Sequence, residues 1–533
     1  MRQLTIFLSV LVAAGLTLAG WWLASPRDDR PADVPPGDIE FAWIHAATST
    51  TAWERFVTGV CRITRDWPEL TCDVTRAYPQ STTSIPEITL GQVGTRGRIR
   101  IRWYKLSQAT NVWHWSTRLA RRKPPPLAII GGGSSDRAIE LARAVSEAPW
   151  TTKPLLFFTT ATATGVTHPD EPLPTDLMSI YPERTFRICF TNEQIAAAVL
   201  DFVWSRPDLR PLGDPLPALA TIGLPPFDAA SLLVARSRAM APSVAALEWE
   251  DDPYSIDLAN QFYRIFHESG FGRVTILPRY RLPYSVGGQY SPNADEADAA
   301  ERLMQGLTAS PFERQLLVLP TSVAPARRVL GAICGAMPFV GRSLVAVTGD
   351  SISLNNIFRD GDISWSVRAL PVPLVFFAHQ NPVGWDWPPG EEDRTWPPDR
   401  RPTPAPPLDP DPDRQPADAL SPPTSTDETL LHRDLISLLA HAGFNSGQLV
   451  ADSDQLLGRI HSVKPPVFDE TGNRASGRGE FVMVLRPHFI DAGGASQALT
   501  AATLEVWTRA GDPPSWQPVK RLILDHGRLR RVN

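Results

Sequence analysis

Two groups of residues in this sequence stand where chemistry could be done. One is a run of glycines and hydroxyls, the other a single carboxylate. Gly131-Gly132-Gly133-Ser134-Ser135 lies between the apolar run Leu127–Ile130 and an amphipathic stretch. Bare backbone N–H groups and hydroxyls at the start of a helix can hold an anion, helped by the helix dipole. An N-cap serine and tight-turn glycines would also suit that place without any ligand. The triple glycine is neither a dinucleotide fingerprint nor a P-loop, since no third-glycine spacing and no Lys-Ser/Thr follow. Asp350 follows the apolar run Leu344–Thr348. A carboxylate at a strand's carboxyl end, facing a cleft, would pair with a cationic ligand group and reject neutral ones. Capping a helix that starts near Ser353 is its other reading. Thr160, Ala161 and Thr162 follow Leu155–Phe158, where loops line a binding crevice. Threonines end strands inertly just as often.

Other chemistries find no support. No CxxC or Cys/His cluster exists, so neither a structural metal nor a cofactor is expected. Cys61 and Cys72 stand eleven positions apart, across a helix and the start of a strand. An oxidising compartment would permit a bridge between them; two separately buried thiols is the alternative. Cys189 and Cys334 fall in apolar runs and read as core. The 52 Lys+Arg against 57 Asp+Glu leave a net charge of −5 and form no basic face for nucleic acid.

The elements that must position these residues alternate strand and helix. Strands are expected at Leu127–Ile130, Leu155–Phe158, Val244–Trp249, Val274–Leu277, Leu316–Leu319, Leu344–Thr348 and Leu374–Ala378. Each is short, nearly continuous in apolar residues and bounded by Gly, Pro or polar residues, as buried parallel strands are. Between them, 136–146, 193–204 and 255–269 carry helical stripes, the last through Ile256, Ala259, Phe262, Tyr263 and Phe266. Such alternation means parallel sheets flanked by helices. Residues 386–428 break the pattern. Thirteen of these 43 positions are Pro, so the segment is expected to be a disordered insertion.

The first segment sets the compartment. Leu4–Ala24 carries no charge over 21 positions, and a helix of that length spans about 30 Å, matching the bilayer hydrocarbon. Trp21-Trp22 at its far end favours the headgroup region. Thr17-Leu18-Ala19 would serve as a cleavage site for a signal peptide. The apolar stretch is long for a signal segment, which favours an uncleaved transmembrane helix within 1–26. Either reading exports the rest, placing the folded part outside the cytoplasm, in the periplasm, tethered to the cell membrane.

Several stretches, in the right order, resemble the periplasmic solute-binding family of the leucine/isoleucine/valine type. They are 127–135, Pro154–Thr162, Phe186-Arg187 with Asn192, Val244–Trp249 into Asp251-Asp252-Pro253-Tyr254-Ser255, Leu344–Asp350, Leu431–Asp434 and Phe468–Arg474. The resemblance spans most of 127–475. It implies a type I, two-lobed periplasmic-binding-protein-like α/β fold whose chain crosses between lobes three times, with a ligand closed in the cleft. One lobe would be about 38–205 plus 366–445, and the other about 240–365 plus 446–533. On that reading 38–385 forms the main part of the lobes, and 429–533 completes the same fold. A membrane permease or signalling partner is implied for such a protein. The departures are the Trp-rich stretch 74–123, extra Pro-rich sequence at 206–243, Ser255 in place of a glycine, and Thr321-Ser322-Val323 where an aromatic often stands.

The resemblance implies that Ser134 and Ser135 bind a ligand carboxylate and that Tyr254 covers the ligand with its ring. With Asp350 as an ammonium anchor, the expected ligand is a small zwitterion, an amino acid or a close relative. Two rivals stand beside this. Val347-Thr348-Gly349-Asp350-Ser351-Ile352 resembles the nucleophile block of GDS-type esterases, which would make Ser351 a nucleophile. Its companion Gly-x-Asn-Asp and Asp-x-x-His blocks are absent. The other rival is a degenerate binding fold kept as a protein-interaction module.

Overall fold

The computed structural model describes residues 32–531 with breaks, the longest at 167–173, 283–291, 353–371, 382–426 and 488–500. The apolar segment 1–26 and most of 386–428 lie outside the described residues. Among the described residues, no helix is long and apolar enough to cross a membrane.

β1 (Ile39–Ala46), β2 (Leu70–Asp73), β3 (Glu87–Gln92), β4 (Ile99–Leu106), β5 (Ala128–Gly131) and β6 (Leu155–Phe158) belong to the first sheet. A separate short pair, β7 (Gly165–Val166) and β8 (Thr175–Asp176), precedes its last strand, β9 (Thr185–Arg187). The strand order is β2-β3-β4-β1-β5-β6-β9. β4 to β9 run parallel, and β2 and β3 add an antiparallel edge. Alternation along β1 feeds two cores. Phe41 and Trp43 meet Trp53 and Phe56 of the helix Thr50–Asp66 and Leu435 and Leu439 of the helix Asp427–Gly443. Ala42 and Ile44 meet Trp115 and Leu141 on the other face.

The second sheet begins with β10 (Ser243–Trp249), β11 (Thr275–Ile276), β12 (Tyr280–Leu282), β13 (Gln315–Val318), β14 (Leu344–Val347) and β15 (Leu374–Ala378). After a small hairpin, β16 (Phe444–Asn445) and β17 (Gln448–Leu449), it gains β18 (Phe481–Pro487), β19 (Ala501–Ala510), β20 (Ser515–Asp525) and β21 (Arg528–Arg531). The order is β11-β10-β13-β14-β15-β18-β19-β20-β21, with β12 also on β10. The strands are parallel up to β15 and antiparallel beyond it. In both lobes the central parallel strands follow the doubly wound order second-first-third-fourth-fifth, which opens a crevice at the carboxyl ends beside the first strand.

The lobe boundaries differ from those expected. The helix Asn192–Ser205 packs in the second lobe, where Ile195, Val199 and Phe202 meet Val345, Phe377 and Val484. β15 lies in the second sheet. The helix Ser453–Ser462 belongs to the first lobe, with Leu456 and Ile460 in its core. The three crossings therefore fall at 188–191, between 379 and 427, and at 475–480. Their positions were hidden because a helix striped for one lobe would fit the other equally well.

Cys61 and Cys72 are not bridged. Their sulfurs lie 3.7 Å apart, in hydrogen-bonding contact, against about 2.05 Å for a disulfide. The Cys72–Cys61 contact holds the Cys61 thiol below its usual range and the Cys72 thiol above it. Cys189 is a fully buried thiol, and the Cys334 side chain lies outside the described residues. Among the described residues no group of three or more His, Cys, Asp or Glu is placed to hold a metal.

Two imidazoles sit where β1 and the helix Asp427–Gly443 approach the cleft. Burial pushes both His45 and His432 down to about 4. The unfolded chain takes up these protons first as the pH falls through about 6.5. Stability from both groups is therefore intact above about pH 6.5 and lost progressively towards pH 4. His432 is 1 % exposed, so its share is about 3 kcal/mol. Asp252, pushed up to about 6 by burial, acts in the opposite sense below about pH 6, over most of that window. Urea midpoints measured between pH 7 and pH 4.5 should fall more in the wild type than in His432→Phe. Equal slopes would remove His432 from the acid response.

Candidate functional site

The crevice rule directs attention to the loops after β5, β6, β10, β13, β14 and β15, which carry most of the residues singled out from the sequence. On the first lobe, Ser134 is the N-cap of the helix Ser135–Glu147, and its side chain makes no capping bond. Ser135 is 2 % exposed, and its Oγ accepts from the Ala163 N–H at 3.2 Å, which leaves its own proton to donate. Thr160 Oγ1 donates to the Gly133 carbonyl at 3.0 Å, tying the loops after β5 and β6 together. Ala161 is fully buried and packs in the core. Thr162 is fully buried too, with no partner for its hydroxyl. The glycines answer to packing as well. A Cβ on Gly133 would stand 2.4 Å from the His45 ring, and one on Gly132, at φ +69°, would meet Phe158 at 2.7 Å.

On the second lobe, Asp350 Oδ2 lies 2.9 Å from His379 Nε2. The Asp350 side chain is 12 % exposed, and its Oδ1 is buried with no partner. Tyr254 does not stand free over the cleft. Its hydroxyl accepts from the Ser351 N–H at 3.2 Å, and Gly349 leaves room for it, since a Cβ there would lie 2.6 Å from the phenol oxygen. Burial and the neighbouring Asp350 carboxylate push this phenol well up. Tyr254 thus braces the loop that presents Asp350. Ser351 Oγ donates to the Thr321 carbonyl at 2.8 Å.

Five residues missed from the sequence complete the floor. Asn192 opens the helix Asn192–Ser205 because Thr191 and Gln194 form a capping box before it. Its amide donates to Asp257 Oδ2 at 2.9 Å and to the Tyr254 carbonyl at 3.2 Å. Asp257, 6 % exposed, links the lobes by accepting from the N–H groups of Thr164 at 2.9 Å and Gly165 at 3.4 Å. Burial raises its pKa. Arg187 is fully buried and donates to the carbonyls of Thr162 and Ala163 at 3.1 and 2.9 Å, so it shapes this loop from beneath. Thr321 is 1 % exposed and has an unpartnered hydroxyl. His379 directly follows β15 and was open to the same strand-end rule that picked Asp350. Asp257 had a weaker signal, as a carboxylate beside an apolar helical stripe.

Arranged this way, the floor joins Thr162 and Asn192 through Tyr254 to Asp350 and Thr321. Among its buried polar atoms, Thr162 Oγ1, Asn192 Oδ1, Thr321 Oγ1 and Asp350 Oδ1 have no protein partner. Buried polar atoms normally find one in protein or water, so this set suits a small polar guest. Nucleophilic catalysis makes a different demand. A serine nucleophile must give its proton to a base, whereas Ser351 Oγ donates to a backbone carbonyl.

Two doubly wound lobes joined by three crossings match the two-lobed α/β fold that the sequence resemblance implies. Solved structures similar to the chain include a leucine-binding protein from Thermotoga maritima, at 16 % identity and TM-score 0.45, covering 84 % of this chain and 95 % of that one. A branched-chain amino acid binding protein from Streptococcus pneumoniae, in complex with isoleucine, matches at 11 % identity and TM-score 0.48 over the same shares. A solute-binding protein from Rhodopseudomonas palustris, in complex with 3,4-dihydroxybenzoic acid, matches at 11 % and 0.47, covering 85 % of this chain and 94 % of that one. No protein-family model and no curated protein matches the sequence.

Proposed function

We propose that the chain binds a small zwitterionic solute, an amino acid or a close relative, between its lobes and carries out no chemistry on it. The observation that carries this reading is the Asp350 carboxylate, with one oxygen engaged by His379 and the other buried and open. An unsatisfied buried acceptor is costly, and a ligand ammonium at Oδ1 would relieve that cost. The start of the helix Ser135–Glu147 supplies the complementary end. There the uncapped Ser134 side chain, the Ser135 hydroxyl and the first N–H groups of the helix would receive a carboxylate. Thr160, Ala161 and Thr162 would shape the wall beside it. Each lobe alone would hold one end weakly, so only a ligand with both charges gains from closure. Thermal unfolding with each common amino acid tests the reading. A saturable rise in Tm with at least one of them is expected, and no rise with any would sink it.

The proposal extends to where the protein works. The segment 1–26 would tether the folded part outside the cytoplasm, beside a membrane permease or signalling partner that receives the ligand or its signal. A C-terminal reporter active only after export should be active in cells, and a reporter active only in the cytoplasm should be silent. The reverse pattern would refute the placement.

A further inference from the structure

The three crossings between the lobes meet at one cluster of side chains. Phe190, on the first crossing, stacks on the His379 ring at 6.0 Å and 10°, and His379 opens the second crossing. Arg474, at the start of the third, holds its guanidinium 4.3 Å over the same Phe190 ring. Its Nη1 donates to the Ile188 carbonyl at 3.2 Å, and its own carbonyl accepts from Gln194 Nε2 at 2.9 Å. This is the hinge.

His379 alone among these side chains also reaches the cleft carboxylate. It is 2 % exposed. Its Nδ1 accepts from the Phe190 N–H at 3.2 Å. A nitrogen that accepts carries no proton, so the proton sits on Nε2 and is donated to Asp350 Oδ2 at 2.9 Å. One rigid ring thus carries a hinge bond on one edge and a site bond on the other. Phe190 and Phe377 pack against its faces and edge and leave it little room to turn.

We propose that His379 is a positioning residue that couples Asp350 to the hinge. Its functional meaning rests on reading Asp350 as the cation anchor, although the coupling itself is a property of the protein without ligand. Rotation of the lobes about 188–191 pulls the Phe190 N–H from Nδ1 and releases the ring that sets the Asp350 rotamer. By linkage, whatever steadies Asp350 also steadies the hinge. A cation seated on Oδ1 would favour the arrangement of the lobes in which these bonds are made, without touching the crossings.

The test reads hydrogen exchange at the Phe190 amide in the full-length protein, free of ligand. His379→Gln keeps a donor where Nε2 stands and loses the acceptor at Nδ1. His379→Asn keeps an acceptor at Nδ1 and loses the donor to Asp350. Asp350→Ala removes only the site end. Loss of one such hydrogen bond corresponds to exchange faster by about five- to tenfold. That acceleration is expected in full in His379→Gln, which loses the acceptor, and in part in His379→Asn and Asp350→Ala, which keep it and lose only the bond at the site. Amides of β13 and β14 should keep their wild-type rates. The coupling is overturned if Asp350→Ala or His379→Asn leaves the Phe190 rate unchanged, or if the β13 and β14 amides speed up equally. Failure of the wild type to bind any amino acid would remove the anchor reading instead. The exchange rates would still decide the coupling.

Discussion

Glu40→Ala is expected to destabilise the first lobe by about 3–5 kcal/mol, the range for breaking a buried ion pair by removing one partner. Glu40 is 1 % exposed and sits on β1 between two guanidiniums. Oε2 accepts from Arg102 Nη1 at 2.5 Å, and Oε1 accepts from Arg122 Nη2 and from the Tyr104 hydroxyl, both at 2.8 Å. Arg102 has a second acid, Glu87, whose Oε2 accepts from its Nε at 2.6 Å. Among the described residues, no acid besides Glu40 pairs with Arg122. The acceptors left to it among the described residues would be the Tyr104 oxygen and the carbonyls of Ala32 and Pro124. Removing Glu40 therefore strands a nearly buried cation. Arg102→Met should cost less, because Glu40 keeps Arg122 and Glu87 keeps Arg100 at 2.7 Å. Urea unfolding at pH 7 measures both. Equal losses, or a loss under about 1 kcal/mol for Glu40→Ala, would show that the network is no more than a surface set of charges.

Asp350→Ala is expected to abolish measurable ligand binding. Losing one partner of a desolvated charge pair costs about 2–5 kcal/mol, well over tenfold in affinity. The fold should survive, since alanine also removes the open Oδ1 acceptor, and the bond from Phe190 to His379 is loosened but not removed. Ser351→Ala removes one hydrogen bond to the Thr321 carbonyl, so its effect on binding should be far smaller.

Much of the parallel architecture was readable because buried parallel strands are short apolar runs. Every strand so chosen matches one of β5, β6, β10, β11, β13, β14 and β15 to within about two residues at each end. The strands before residue 107 were not readable, and β4 shows why. Its sequence Ile-Arg-Ile-Arg-Trp-Tyr-Lys-Leu places Arg100 and Arg102 at alternate positions, as a solvent-facing strand would. Here Arg102 is 3 % exposed and paired by Glu40 and Glu87. Those partners lie 62 and 15 residues away, and no local pattern reveals them. Of the tryptophans at 103, 113 and 115, two resolve in the same way, while Trp113 stays exposed. Trp103 packs with Trp43 and Trp53, and Trp115 lies against Tyr104.

The site divides along the same line. Asp350 was found by its place at a strand's carboxyl end, a rule that needs only local sequence. The orientation of Tyr254 was not found, because the hydroxyl is claimed by an N–H 97 residues on. His379 and Asp257 act through partners on other elements, and the three crossings that bring those partners together could be located only in three dimensions.

Calorimetric titration tests the central claim most directly. The amino acid that raises Tm most would be titrated into wild type, Asp350→Ala and Ser351→Ala, alongside its des-amino and decarboxylated analogues. The expected result is saturable wild-type binding of the zwitterion, weakened at least about tenfold when either ligand charge is missing. Asp350→Ala should show no binding, and Ser351→Ala should stay near the wild type. Undiminished binding in Asp350→Ala, or an ester-hydrolysing activity that disappears with Ser351→Ala, would contradict the account.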